Sequence, residues 1–154
     1  LHSNTFITVA LLLFSSVSIA DDLPAWLYKA IKVNNPNELA YFINLDEDCP
    51  LNNDELTKIT EGVFIRSRIK PLKNDIFVKG RIYLSVELQC VKTNNGSQVF
   101  AIATNFARYT PKPPVIFDYP FTFTGIGPKD YIEQNLKNST ERAITAFIKA
   151  NFDL

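Results

Sequence analysis

Residues Arg81 to Val91 (RIYLSVELQCV) alternate apolar and polar side chains without a break, and this constrains the fold more than any other feature. Ile82, Leu84, Val86, Leu88 and Cys90 point one way; Arg81, Tyr83, Ser85, Glu87 and Gln89 point the other. A period of two over this length predicts a strand with one face in a core and one face wetter. Asn94-Asn95-Gly96 follows, a sequence that favours the positive φ angles of a hairpin turn. Gln98 to Tyr109 (QVFAIATNFARY) then reads as the returning strand. Its Phe100, Ile102 and Phe106 alternate with the small Ala101, Ala103 and Ala107, and the small face predicts close packing of a helix there.

Helices are expected around this hairpin. Asn52 can cap a helix with Glu55 as the reciprocal partner of a capping box, and Leu51 and Leu56 stand at the positions of a hydrophobic staple. Leu56, Ile59 and Val63 line one face. Asp54 and Glu55 near the start, with Arg66, Arg68 and Lys70 toward the end, suit the helix dipole, and Pro71 is the latest possible stop. A second long helix is predicted over Lys129 to Asn151, with Ile132, Leu136, Ala143, Ile144, Phe147 and Ile148 as its apolar stripe. Asp22 to Val33 predicts a short helix that tolerates Pro24 in its first turn. Glu38 to Glu47 alternates as a strand through Leu39, Tyr41, Ile43 and Leu45, with a helix from Asn37 as the other reading. Between Thr110 and Gly127, Pro111, Pro113, Pro114 and Pro120 predict a connection followed by an edge strand or extended loop.

The expected fold is therefore α+β: a three- to four-stranded, mostly antiparallel sheet with two main helices on one face and a short N-terminal helix. In outline, this order of elements resembles small periplasmic accessory modules that assist envelope assembly, with no motif tying the chain to them.

The compartment is read from the N-terminus. Ile7 to Ile19 is uncharged and apolar, too short to span a bilayer as a helix, which takes about 20 residues, and Ser18-Ile19-Ala20 is a small-x-small cleavage pattern. Residues 1–20 are accordingly expected to be a cleaved secretory signal, although Leu1-His2-Ser3-Asn4 lacks the usual basic region, and 21–154 a single domain with no membrane-spanning segment. The location expected is periplasmic or extracellular. Two cysteines, Cys49 and Cys90, then suggest a disulfide, and they lack the Cys-x-x-Cys spacing of a redox site.

Several chemistries are disfavoured. His2 is the only histidine and would leave with the signal, which removes Ser-His-Asp and Cys-His nucleophile systems and most zinc sites. No metal or cofactor is expected. The 16 basic residues balance 16 acidic ones, against a nucleic-acid binder. Ser67-Arg68-Ile69-Lys70 matches the Ser-x-x-Lys of penicillin-interacting enzymes but lacks its companion motifs, and Gly125-Ile126-Gly127 lacks the third glycine of a phosphate-binding fingerprint.

Two surfaces remain as candidates. Arg66, Arg68, Lys70, Lys73, Lys79 and Arg81 could bind an anion, against ordinary surface charge as the plainer reading. Tyr109, Phe117, Tyr119, Phe121 and Phe123 could line a groove for a partner or ligand, against simple burial. The function expected is a non-enzymatic exported protein that binds a protein or envelope component. A histidine-independent carboxylate hydrolase of envelope glycan, with Glu87 and Asp118 as candidate acids, and a secreted inhibitor or virulence-type factor are the alternatives.

Overall fold

The computed structural model describes residues 23–112, 114–117 and 121–152. The expected signal segment, Asp118 and Tyr119 lie outside these residues.

The chain runs α1 (Ala25–Ala30), β1 (Glu38–Leu45), α2 (Asn53–Arg66), β2 (Lys70–Lys73), β3 (Ile82–Lys92), β4 (Gln98–Arg108), β5 (Val115–Ile116), β6 (Phe121–Gly127) and α3 (Lys129–Phe152). The α+β class is as expected, but among the described residues the sheet has six strands, not three or four, in the order β2-β1-β3-β4-β5, with β6 also on β4. It is mixed, not mostly antiparallel: β1 runs parallel to both β2 and β3, while β4 is antiparallel to β3, β5 and β6. The extra strands are short. Lys-Pro-Leu-Lys in β2 has no room to show a periodicity, and pairing with β1 alone makes it a strand.

The helices lie on the face that carries the large side chains. Leu84, Val86 and Leu88 of β3 and Phe100, Ile102 and Phe106 of β4 are at most 2% exposed, in one core with Leu56, Phe64, Leu136 and Phe147. Burying each such side chain contributes about 1.5–3 kcal/mol. Ala101, Ala103 and Ala107 therefore face away from the helices, contrary to the sequence expectation. Area removed from water decides the packing face, and alanine offers little of it.

Local signals work as read at both long helices. Asn52 accepts hydrogen bonds from the Asp54 and Glu55 amides, and Glu55 accepts one from the Asn52 amide, which completes the capping box. Leu51 and Leu56 are both buried. In α3 the predicted stripe is inside, and Asn151 ties the helix to the end of α1: its side chain donates to the Ile31 carbonyl and accepts from the Val33 amide. Beneath α3, Thr104 and Ser139 are 2.9 Å apart, and Ser139 also bonds the Phe121 carbonyl. Ser139 has one hydroxyl hydrogen, which goes to that carbonyl, so Thr104 donates to Ser139. These two buried hydroxyls join β4, α3 and β6. Tyr41, also buried, donates to Glu61 of α2 at 2.5 Å; burial first, then the nearby carboxylate, holds its phenol well above the usual tyrosine pKa.

The end of α2 falls within the expected limit and leaves Arg68 and Lys70 outside the helix. The helix stops at Arg66, before the predicted limit at Pro71. Arg68 donates to the Ile65 carbonyl and Ile69 to the Phe64 carbonyl, each at 3.0 Å, a Schellman motif with buried Ile69 packed in the core. The left-handed position belongs to Arg68, at φ 58°, where glycine is usual. The hairpin turn likewise uses a single positive φ, at Gly96 (83°), while Asn95 caps the turn by accepting from the Ser97 amide.

Cys49 and Cys90 form a disulfide with Cα atoms 5.0 Å apart. Cys49 follows β1 and Cys90 lies near the end of β3. Two such ends meet only when the strands are parallel.

Two stability outcomes follow. Closing a loop of 41 residues' separation stabilises by about 4 kcal/mol in the chain-entropy model. Cys90→Ser should lower the thermal midpoint of the oxidised protein by roughly 10 °C; an unchanged midpoint would refute that contribution. Arg68→Gly should raise stability by about 1 kcal/mol in urea denaturation, because a left-handed non-glycine residue costs about 1–2 kcal/mol.

Candidate binding surface

Because α2 and α3 occupy one face of the sheet, the other face depends on what the loops supply. The 74–80 segment covers one end of it. Ile76 is buried there with Ala40, Tyr83 and Ala107, and Phe77 meets Tyr109 edge to face. Arg81 is held to this segment by its ion pair with Asp75.

Toward the hairpin the face is open. Val91, Val99 and Ile126 stand side by side on β3, β4 and β6 in register and are 65%, 41% and 65% exposed. The next row is Gln89, Ala101 and Thr124. Together these rows border a depression of about 490 Å³. Ala101, which receives no helix, is among the residues that line this shallow hollow, together with Thr124 and Gly125. Asp46 lines the hollow, and Glu87 lies further along β3; it accepts a hydrogen bond from Ser85 at 3.1 Å and sits close enough to raise the pKa of Tyr83, after burial.

Gly125 explains how β6 fits at this end. A Cβ at Gly125 would stand 2.9 Å from the Phe123 ring and 3.2 Å from the Phe100 ring, whose centroids are 5.8 Å apart. The glycine lets those rings stack beneath β6. Gly125-Ile126-Gly127 is thus strand, neither a phosphate loop nor a flexible lead into the helix.

The six basic candidates are spread over separate neighbourhoods. Arg66 reaches Glu141 of α3 at 3.1 Å, and Lys73 donates to Thr57 of α2 at 2.9 Å. Arg68 occupies the turn after α2, and Lys70 opens β2. Lys79 and Arg81 instead line a cleft of about 370 Å³, together with Lys32, Arg108 and Glu38. Arg81 is already committed to Asp75, and Arg108 donates to the Ala30 carbonyl and lies over the Phe117 ring. Sequence proximity suggested one patch; the change from helix to turn to strand between Arg66 and Lys70 separates it.

The aromatic candidates divide too. Phe121 is buried against Phe106, Phe123 packs between Phe100 and Tyr131, and Phe117 rests on the core edge beneath Arg108. Tyr109 belongs to the small cluster around Ile76. Ser67 and Lys70 of the Ser-x-x-Lys match sit on different elements, one the cap of α2 and the other the start of β2. Among the described residues, no cluster of three or more histidine, cysteine, aspartate or glutamate side chains could hold a metal ion.

The Val91–Val99–Ile126 row was not singled out from the sequence. Each residue lies on the minor face of its own strand, and only the lateral register brings the three together.

No family model matches this chain, and no curated protein matches it. Among solved structures, it is similar to a minor lipoprotein from Acinetobacter baumannii, with 10% sequence identity, a TM-score of 0.33, and coverage of 69% of this chain and 89% of that one.

Among the described residues, no helix is long and apolar enough to cross a membrane.

Proposed function

We propose that this chain is a non-enzymatic accessory protein of an exported compartment, periplasmic or extracellular, that binds a partner protein on the open face of its sheet. The observation that carries the reading is the exposed row of Val91, Val99 and Ile126 beside a shallow hollow on the face the helices leave uncovered. Aliphatic side chains aligned on a rigid sheet cost little conformational entropy to dock, and partial exposure of three neighbours is the kind of patch that marks an interaction site. The Cys49–Cys90 bridge supports an oxidising compartment. The absence of histidine after His2 supports a binding role over acid–base chemistry near neutral pH.

The test compares the oxidised protein with Val99→Lys, a change at an exposed position that should leave the thermal midpoint unaltered. Both are immobilised and presented with envelope extract. A protein retained by the first should fall at least tenfold with the second. Equal retention would remove the open face from the proposal. Release of soluble fragments from cell-wall glycan, abolished by Glu87→Gln, would replace the binding reading with the carboxylate hydrolase.

A further inference from the structure

The two edges of the sheet are built differently. The outer edge on one side is β2, only four residues long and composed of Lys70, Pro71, Leu72 and Lys73. Short length, lysine and proline are devices that discourage another strand from adding. On the other side β5 is two residues long and follows Pro111, Pro113 and Pro114. Beside it β6, Phe-Thr-Phe-Thr-Gly-Ile-Gly, has seven residues, no charge and no proline, and among the described residues it pairs with β4 alone.

In an antiparallel ladder, alternate residues turn both backbone groups to the same neighbour. The Tyr109 amide donates to Arg81, and the Thr93 amide donates to Ser97, so odd-numbered residues of the β4 line face β3. The even-numbered ones face the other way, as the Phe117 amide donating to Phe106 confirms. Phe100, Ile102 and Thr104 therefore bond Gly125, Phe123 and Phe121 in register. Thr122, Thr124 and Ile126 turn their amides and carbonyls outward.

We propose that β6 pairs antiparallel with β6 of a second copy of this chain, joining two sheets about a two-fold axis at Thr124. Complete overlap of Phe121–Gly127 with itself fixes that register. It sets Thr124 opposite its own counterpart and Thr122 opposite the second copy's Ile126. These are the residues whose peptide groups point away from β4 and have no backbone partner among the described residues, so each such pair can exchange two hydrogen bonds. On the open face, β-branched side chains meet β-branched side chains, a favourable cross-strand pairing. On the helix face, each Phe123 falls opposite the second copy's Gly125, over which that copy's own Phe123 and Phe100 rings already lie. A second copy fits better than a foreign charged peptide, because the edge is uncharged and complementary to itself. The formal net charge of zero adds no long-range repulsion between copies. This inference goes beyond the partner-binding reading and does not rest on it, since mass alone reports it.

The experiment is sedimentation equilibrium of the oxidised protein from about 1 to 200 µM, a range that captures micromolar dissociation constants. The expected mass rises to twice that of the protomer. Thr124→Lys and Thr124→Glu, each at an exposed site on the axis, should weaken the dimer at least tenfold while keeping the wild-type thermal midpoint. Mixing the two should restore it, because opposite charges then face one another; Thr122→Lys serves as an independent disruption if either variant fails to fold. A wild-type protein at protomer mass throughout, or a dimer indifferent to all three substitutions, overturns the proposal. So does a monomer whose Thr122, Thr124 and Ile126 amides gain exchange protection only on adding a synthetic extended peptide, which assigns the edge to a foreign strand.

Discussion

The architecture depends on one asymmetry: β3 and β4 each carry their large apolar side chains on the same face, and two long helices are available to cover it. Leu84, Val86, Leu88, Phe100, Ile102 and Phe106 cannot be left in water without forfeiting the main favourable contribution to folding. Once α2 and α3 are committed to that face, no other long helix remains among the described residues for the other. The 74–80 segment closes one end with Ile76, and the rest stays open. The candidate surface is thus the complement of the core: the part of the sheet left over once the large side chains of β3 and β4 are covered, with Val91, Val99 and Ile126 exposed on it.

Around that asymmetry, polar groups specify position more than they add stability. Thr104 donates to Ser139 and Ser139 donates to the Phe121 carbonyl under α3, which locks β6 against β4 at one height. Leaving any of these buried groups unpaired would cost about 1–3 kcal/mol, so a slipped register is penalised twice. Asn151 does the same for the junction of α1 with α3. Glu55 contributes at both helices: it completes the cap of α2 and pairs with Lys129 at the start of α3, which draws its carboxyl below the usual range. The disulfide adds a covalent constraint at the end of β1 and β3, where the ladder between them finishes.

The candidate sites were less legible than the fold. The aromatic positions Phe121 and Phe123 alternate in sequence like a groove, yet α3 lies over them and takes them into the core. The basic run from Arg66 to Arg81 is continuous in sequence, but a Schellman turn at Arg68 and the strand from Lys70 send its members in different directions. The exposed row of Val91, Val99 and Ile126 had no signal of its own, because each is a lone aliphatic residue on a strand. Such a row exists only after lateral pairing.

By itself the sequence determined what short-range physics controls. Apolar alternation defined β3 and β4, the Asn52–Glu55 pair began α2, helical spacing placed the stripe of α3, and two cysteines in an otherwise cysteine-free chain defined the bridge. These depend on rotamers, caps and backbone angles within a few residues, or on a count of thiols. The tertiary structure alone decided the parallel placement of β1, the recruitment of Lys-Pro-Leu-Lys as β2, the face chosen by the helices and the pairing of β6 with β4. Each of those is a competition between distant segments for the same buried area and the same backbone partners, and such a competition has no winner until the whole chain is packed.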